Sequence, residues 1–259
     1  MTLSIPKSKL SRAMAIVSAS IVSASIATSA AAAVVVSGTR VIFPAEEREV
    51  TIKVTNDGRI PSLVQTWIDT GNENESPDKI DVPFTLTPTM FRVEPGKGQT
   101  LRIIYTNEPL PTDKESLFWL NVLDVPPKPA AEDDRNRLQV AFRTRIKLMY
   151  RPAGLPGKAE EAPARLKWQI ARGPEANQYV LKAVNPSPYV VSLGSVQLKM
   201  GGKTFDAGMG HVRPGASQTF PINGLESPPA ADATVEFSSI DDWGGNNNTQ
   251  VPVAIDPRH

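Results

Sequence analysis

The sequence predicts an all-β protein built as two β-sandwich domains in series. Three observations carry this. Twenty-four prolines and 17 glycines punctuate the 259-residue chain too often for helices of ordinary length. Between these breaks, apolar side chains recur at every second position, the period that puts them on one face of a strand. A stretch rich in proline, glycine and charge, "PAGLPGKAEEAP" (152–163), then divides the runs into two series and reads as a linker.

The first series occupies 34–151. Val34–Phe43 is a β-branched apolar run. Glu49–Asn56 alternates, with Val50, Ile52 and Val54 in one phase and Thr51, Lys53 and Thr55 in the other, and stops at the turn signal Asn56-Asp57-Gly58. Leu63–Ile68 follows Pro61, and Phe84–Thr87, Phe91–Val93 and Leu101–Thr106 are separated by Pro88 and by Pro95-Gly96-Lys97-Gly98. Ser116–Leu123 is apolar in both phases, as expected of a strand covered on both faces. The second series, over 164–259, comprises Leu166–Ile170, Gln178–Val184, Val190–Met200, Gln218–Ile222, Thr234–Ser239 and Thr249–Ile255. Many short strands joined by turns in about 100 residues suggest a sandwich in each case.

One run stands apart. In "RLQVAFRTRIKLMYRP" (137–152), Leu138, Val140, Phe142, Thr144, Ile146, Leu148 and Tyr150 share one phase, while Arg143, Arg145, Lys147 and Arg151 lie in the other. The pattern predicts one strand of about 14 residues, against a usual length of roughly 5–6. A long apolar strand invites edge-to-edge association if it lies at the border of a sheet.

The first 33 residues are read as a secretory leader. Lys7, Lys9 and Arg12 precede a small and apolar stretch that ends in Ala31-x-Ala33, and cleavage is expected near Ala33. Of 28 basic residues the leader holds these three, leaving 25 against 27 acidic and a formal charge of −2. That balance argues against nucleic-acid or anionic-membrane binding, and no other stretch is long and apolar enough to insert into a bilayer. With no cysteine, an exported chain must be held together by core packing.

Chemistry is sparse. The two histidines, His211 and His259, cannot assemble a His/Cys metal site of ordinary spacing, and His211 beside Gly210 in a turn is a poor member of a Ser-His-Asp system. Pro95-Gly96-Lys97-Gly98 lacks the spacing and following helix of a phosphate loop and reads as a tight turn. Asp241-Asp242-Trp243-Gly244-Gly245 lacks the terminal acid of a calcium loop and reads as a hairpin turn. No enzyme, cofactor or metal is expected.

Several segments together resemble one family, the PapD-like periplasmic chaperones of pilus assembly. They are "SGTRVIFPA" (37–45), "VTNDGRIPSLVQTWID" (54–69), "VPFTLTPTMFRVEPGKGQTLRIIYT" (82–106), "LPTDKESLFWLNVLDVPP" (110–127) and "LQVAFRTRIKLMYRP" (138–152). In the second half the likeness thins to "AVNPSPYVVSL" (183–193) and "SIDDWGG" (239–245). The resemblance implies two immunoglobulin-like domains in a boomerang arrangement. It implies that the long strand is donated to pilus subunits lacking their own last strand, with Leu138, Val140, Phe142 and Ile146 as the donated row. On the residues alone this row reads first as filling its own domain's core; with the resemblance, the lower residues pack there while the upper ones bind.

By the same resemblance, Arg40 and Lys147 hold the subunit's terminal carboxylate in a wet interdomain cleft. Glu115, Arg151 and Asp242, with Asp241 one residue away, form ion pairs that set the angle between domains. The partners implied are pilus subunits and an outer-membrane usher in the periplasm; whether the free protein caps its edge by dimerising is left open. The short, cysteine-free connection from Val125 to Leu138 is similar to that of chaperones serving rod-like pili. A pilus structural subunit or adhesin is the rival reading, but it would usually be one incomplete domain with a cysteine pair. A lectin would cluster aromatics, whereas Trp67, Trp119, Trp168 and Trp243 are dispersed.

Overall fold

The computed structural model describes residues 33–127, 139–174, 178–225 and 232–255. Residues 1–32 of the leader, Leu138, most of the connection before it, and His259 lie outside them. The strands are β1 (Val34–Val36), β2 (Arg40–Pro44), β3 (Glu49–Asn56), β4 (Ser62–Asp69), β5 (Phe84–Thr87), β6 (Met90–Val93), β7 (Gly98–Tyr105), β8 (Ser116–Val125) and β9 (Phe142–Arg151). After them come β10 (Lys167–Arg172), β11 (Tyr179–Val184), β12 (Val191–Met200), β13 (Lys203–Asp206), β14 (Gly210–Val212), β15 (Ser217–Pro221), β16 (Thr234–Ile240), β17 (Asn246–Pro252) and β18 (Ala254–Ile255). Helix among the described residues is confined to single 3₁₀ turns such as Pro77–Lys79.

Strands β1–β9 form two sheets, ordered β1-β3-β7-β5 and β2-β9-β8-β4-β6. The alternating apolar phases of both sheets meet in one core that includes Phe43, Val54, Val64, Leu101, Ile103, Leu120 and Leu148. Strands β10–β18 repeat the plan, with sheets β15-β11-β10-β18 and β13-β12-β16-β17, and with β14 pairing on β12. Their core includes Trp168, Leu181, Val196, Leu198, Val235 and Phe237.

Three differences from the sequence reading matter for function. The run Val34–Phe43 is two strands: β1 pairs β3 in one sheet, and after Ser37–Thr39 the chain crosses so that β2 pairs β9 in the other. The long strand is shorter than predicted, because β9 begins at Phe142 and residues 139–141 are described without strand structure. β13 and β14 lie in a stretch of glycine and polar residues whose weak alternation gives no strand signal, and His211 sits in β14 rather than in a turn.

An aromatic cluster secures the lower end of β9. Tyr105 and Tyr150 lie 4.7 Å apart, Phe84 and Phe118 5.0 Å, and Phe43 and Phe84 5.6 Å, within the spacing at which tilted and edge-on rings attract.

Candidate functional site

The edge of β9 is half covered. On one side it pairs antiparallel with β8 over its whole length, from Phe142↔Asp124 to Tyr150↔Ser116. On the other side β2 runs parallel to it, but only from Arg40↔Lys147 to Pro44↔Arg151. Among the described residues nothing pairs with the outer side of Phe142–Ile146, so alternate N–H and C=O groups there have no ladder partner.

The apolar row of β9 divides at the same place. Leu148 and Tyr150 are 0% and 8% exposed, and Ile146 only 7%; all three belong to the domain's own core. Val140 and Phe142 are 44% and 43% exposed. Ile146, expected in the donated row, therefore packs at home, and Phe142 and Val140 are the described members that face out.

Where the open edge ends, two cations stand side by side. Register sets Arg40 on β2 beside Lys147 on β9. Arg40 Nη1 donates to the Ile240 carbonyl at 2.9 Å and Lys147 Nζ to Ser192 Oγ at 3.1 Å, so both reach residues of the second series. Arg40 Nε is buried without a hydrogen-bond partner. Burial, with Arg40 nearby, pushes the Lys147 ammonium down to about 8, and burial lowers Arg40 against the opposing pull of Asp242 and Asp241. These are partly desolvated groups, not the freely solvated side chains that a wet cleft implies. Beside them opens a cleft of about 770 Å³ whose lining includes Arg40, Arg151, Tyr189, Ser192, Asp242 and Trp243.

Glu115, Arg151 and Asp242 meet directly. Arg151 Nε donates to Glu115 Oε1 at 2.6 Å, while Nη1 and Nη2 donate to the two Asp242 oxygens at 2.7 and 2.9 Å. The second Glu115 oxygen accepts the Val190 N–H at 2.7 Å. Burial pushes the Glu115 carboxyl up against the pull of Arg151; Arg151 is desolvated too, but the two carboxylates hold it charged. Asp241 has a different job: its Oδ1 accepts the Trp243 and Gly245 amides, closing the hairpin turn between β16 and β17. That turn presents the Trp243 indole at the cleft, 97% exposed.

Sequence reasoning missed the neighbours of Lys147. Trp119 lies with its ring centroid 5.6 Å from the ammonium and packs edge-on against His211 at 5.7 Å. Burial and the surrounding cations push His211 down to about 4, so it is neutral at pH 7. It also missed Asp69, Asn121, Arg143 and Arg145 on the outer face of the same sheet. Alternation marks Arg143 and Arg145 as outward, but it does not reveal that they converge with Asp69 and Asn121.

This architecture is matched by known proteins. Residues 33–156 match the family described as pili and flagellar-assembly chaperone, PapD N-terminal domain, and residues 161–251 the pili assembly chaperone PapD, C-terminal domain. The probable fimbrial chaperone YadV of Escherichia coli K12 is 45% identical over 221 residues, covering 84% of this chain and 89% of its own. The CupB2 chaperone of Pseudomonas aeruginosa superposes with a TM-score of 0.70 at 40% identity, over 85% of this chain and all of the other. The SafB chaperone of Salmonella enterica, solved in complex with the SafA pilin, gives a TM-score of 0.68 at 30% identity, with 85% and 95% covered. The chain belongs to the PapD family of pilus-assembly chaperones and is a chaperone rather than an enzyme.

Proposed function

We propose that this chaperone holds pilus subunits by adding a subunit strand to the open half of β9, with the subunit's terminal carboxylate bound between Arg40 and Lys147. One observation carries the reading: β2 begins, in register with Lys147, where the open edge stops. A strand added along Phe142–Ile146 and parallel to β9 would be collinear with β2 and would end where β2 starts. Its C-terminal carboxylate then meets two cations, and charge-assisted hydrogen bonds to both would fix the register. An antiparallel strand would bring a terminal ammonium there instead, against like charge.

In this reading the apolar row Leu138, Val140 and Phe142 is lent to the subunit, and Ile146 joins the lent row to the core. Glu115, Arg151 and Asp242 hold the angle between domains 34–151 and 164–259, with 152–163 as the linker. Chaperones of this family are periplasmic, and the leader ending near Ala33 would export the chain there. The captured subunit would then be handed to an outer-membrane usher. A complex in which a related chaperone holds a pilin supports the client class.

The test is purification of the exported protein from periplasm with whatever it holds. A pilus subunit is expected with the unmodified chain and none with Arg40→Ala/Lys147→Ala at equal chaperone level. Equal recovery from both would refute the anchor, and no subunit from either would refute the client.

A further inference from the structure

The open half of β9 has a partner strand on one side only, yet it is extended and in line with its sheet. What holds it lies on the outer face. Arg143 and Arg145, on either side of Thr144, point away from the core and reach across β8 toward β4. The Arg145 guanidinium stacks over Trp119 at 4.3 Å and that of Arg143 over Trp67 at 4.9 Å, both within cation–π range. Arg145 Nη2 and Nε donate to the two oxygens of Asp69 at 2.5 and 3.3 Å. Arg143 Nε donates to Asn121 Oδ1 at 2.8 Å, and Asn121 Nδ2 donates to Asp69 Oδ2 at 2.7 Å. The Gly71 amide donates to Asp69 Oδ1 at 2.7 Å.

Arg143 Nη1 also donates to the Glu73 carbonyl at 2.6 Å, and the remaining hydrogen bonds converge on Asp69. Its side chain is 0% exposed, two strands away from the edge. Burial alone would favour a neutral carboxyl, but the bonds from Arg145, Asn121 and Gly71 hold it below the usual carboxylate range. The carboxylate is thus an ionised, fully bonded fixed point. The two arginines it holds are those of the segment that β2 leaves uncovered; the covered segment below has β2 and the aromatic cluster instead.

We infer that Asp69, acting through Arg145 and Arg143, is a positioning residue that keeps the open half of β9 extended before a subunit arrives. The inference deepens the reading of β9 as the capture edge and rests on it. A binding edge already ordered loses less conformational entropy when a strand is added. Freed residues would weaken capture by about tenfold for each one that must be re-ordered.

The experiment is hydrogen exchange on the free protein, comparing the unmodified chain with Asp69→Asn, Arg145→Gln and Arg145→Lys. Amides of 142–146 that bond to β8 are expected to exchange about tenfold faster in Asp69→Asn and Arg145→Gln, while 147–151 is unchanged. Arg145→Lys, which keeps a cation but not the fork, should recover part of the protection. Unchanged exchange at 142–146, or loosening of 142–146 and 147–151 together, would overturn the inference. Should Asp69→Asn fail to fold, Arg145→Gln decides alone, since it leaves the buried acid bonded to Asn121 and Gly71.

A second arm measures binding of a synthetic peptide of alternating apolar residues ending in a free carboxylate. Its association should slow about tenfold in Arg145→Gln, whose Arg40 and Lys147 are untouched. Association at the unmodified rate would overturn the inference. Failure of the unmodified protein to bind the peptide would refute the capture reading instead, and the exchange result would still stand or fall by itself.

Discussion

Phe142 and Ile146 share one phase of one strand, four residues apart, yet the structure assigns them opposite fates. Phe142 is 43% exposed and Ile146 7%. A glutamate at Phe142 should leave the free chaperone folded, with a loss of about 1 kcal/mol, because the introduced carboxylate remains in water. Capture should suffer more. A phenylalanine side chain offers about 200 Å² for burial, so 43% exposure leaves about 85 Å² for a subunit to cover, or about 2 kcal/mol at 25 cal/mol/Å². Losing that contact alone weakens binding about thirtyfold, and forcing a carboxylate into a dry groove adds several kcal/mol. Ile146→Glu should act on the fold instead, by about 4 kcal/mol or more, since it removes a core side chain and buries a charge in its place. Urea denaturation of each variant, beside recovery of subunit from periplasm, separates the two. If Phe142→Glu unfolds as readily as Ile146→Glu, Phe142 belongs to the core; if it is stable and still retains subunit, the edge is not the binding surface.

Three further outcomes are expected. Lys147 has an ordinary value of 10.5 and stands at about 8 when folded, so between those values the unfolded chain holds a proton that the folded chain has lost. Stability should therefore rise with pH across that window, and the rise should vanish in Lys147→Met, as thermal melts between pH 7 and 11 would reveal. Binding of a carboxylate needs the protonated amine, so affinity for a peptide with a free C-terminus should fall as pH passes about 8, and an amidated peptide should lack this dependence. Arg151→Ala strands the buried Glu115 and should cost about 3–5 kcal/mol in urea denaturation, part of which Glu115→Gln should restore in the double variant.

The sequence was most legible where the period was unambiguous and the environment symmetric. Glu49–Asn56 and Ser116–Leu123 appear as β3 and the body of β8. Legibility failed where tertiary context decided. Nothing in the apolar run Val34–Phe43 shows that the chain changes sheets at Ser37–Thr39, because either sheet accepts valine and isoleucine. Nothing in the even alternation of 138–150 marks Ile146 as the point where the row passes from the core to the open edge. That point is fixed by where β2 begins, more than a hundred residues earlier in the chain. The ion pairs of Arg151 join residues 36 and 91 positions away, and Asp69 meets Arg145 across 76. Only the family resemblance brought Glu115, Arg151 and Asp242 to notice, and it had nothing to say of Asp69.

Arg40 and Lys147 show how far this fold departs from the arrangement of greatest stability. Adjacent in parallel register, they hold like charges together in a partly desolvated place, where repulsion is weakly screened. Neither lies within ion-pair distance of a carboxylate among the described residues: Arg40 meets a carbonyl, Lys147 a hydroxyl, and Arg40 Nε nothing. Asp242, whose charge acts on Arg40, spends both oxygens on Arg151. Releasing Asp242 from Arg151 to neutralise Arg40 would fill the site with the protein's own anion and leave Arg151 with Glu115 as its carboxylate partner. The Arg151 fork therefore does two things at once. It ties residues of the two series together, and it keeps the Asp242 oxygens off Arg40 and Lys147, neither of which has an ion-pair partner among the described residues. On the proposed reading, a subunit's terminal carboxylate would supply the missing counter-charge, and the repulsion it relieved would add to the affinity gained from the edge.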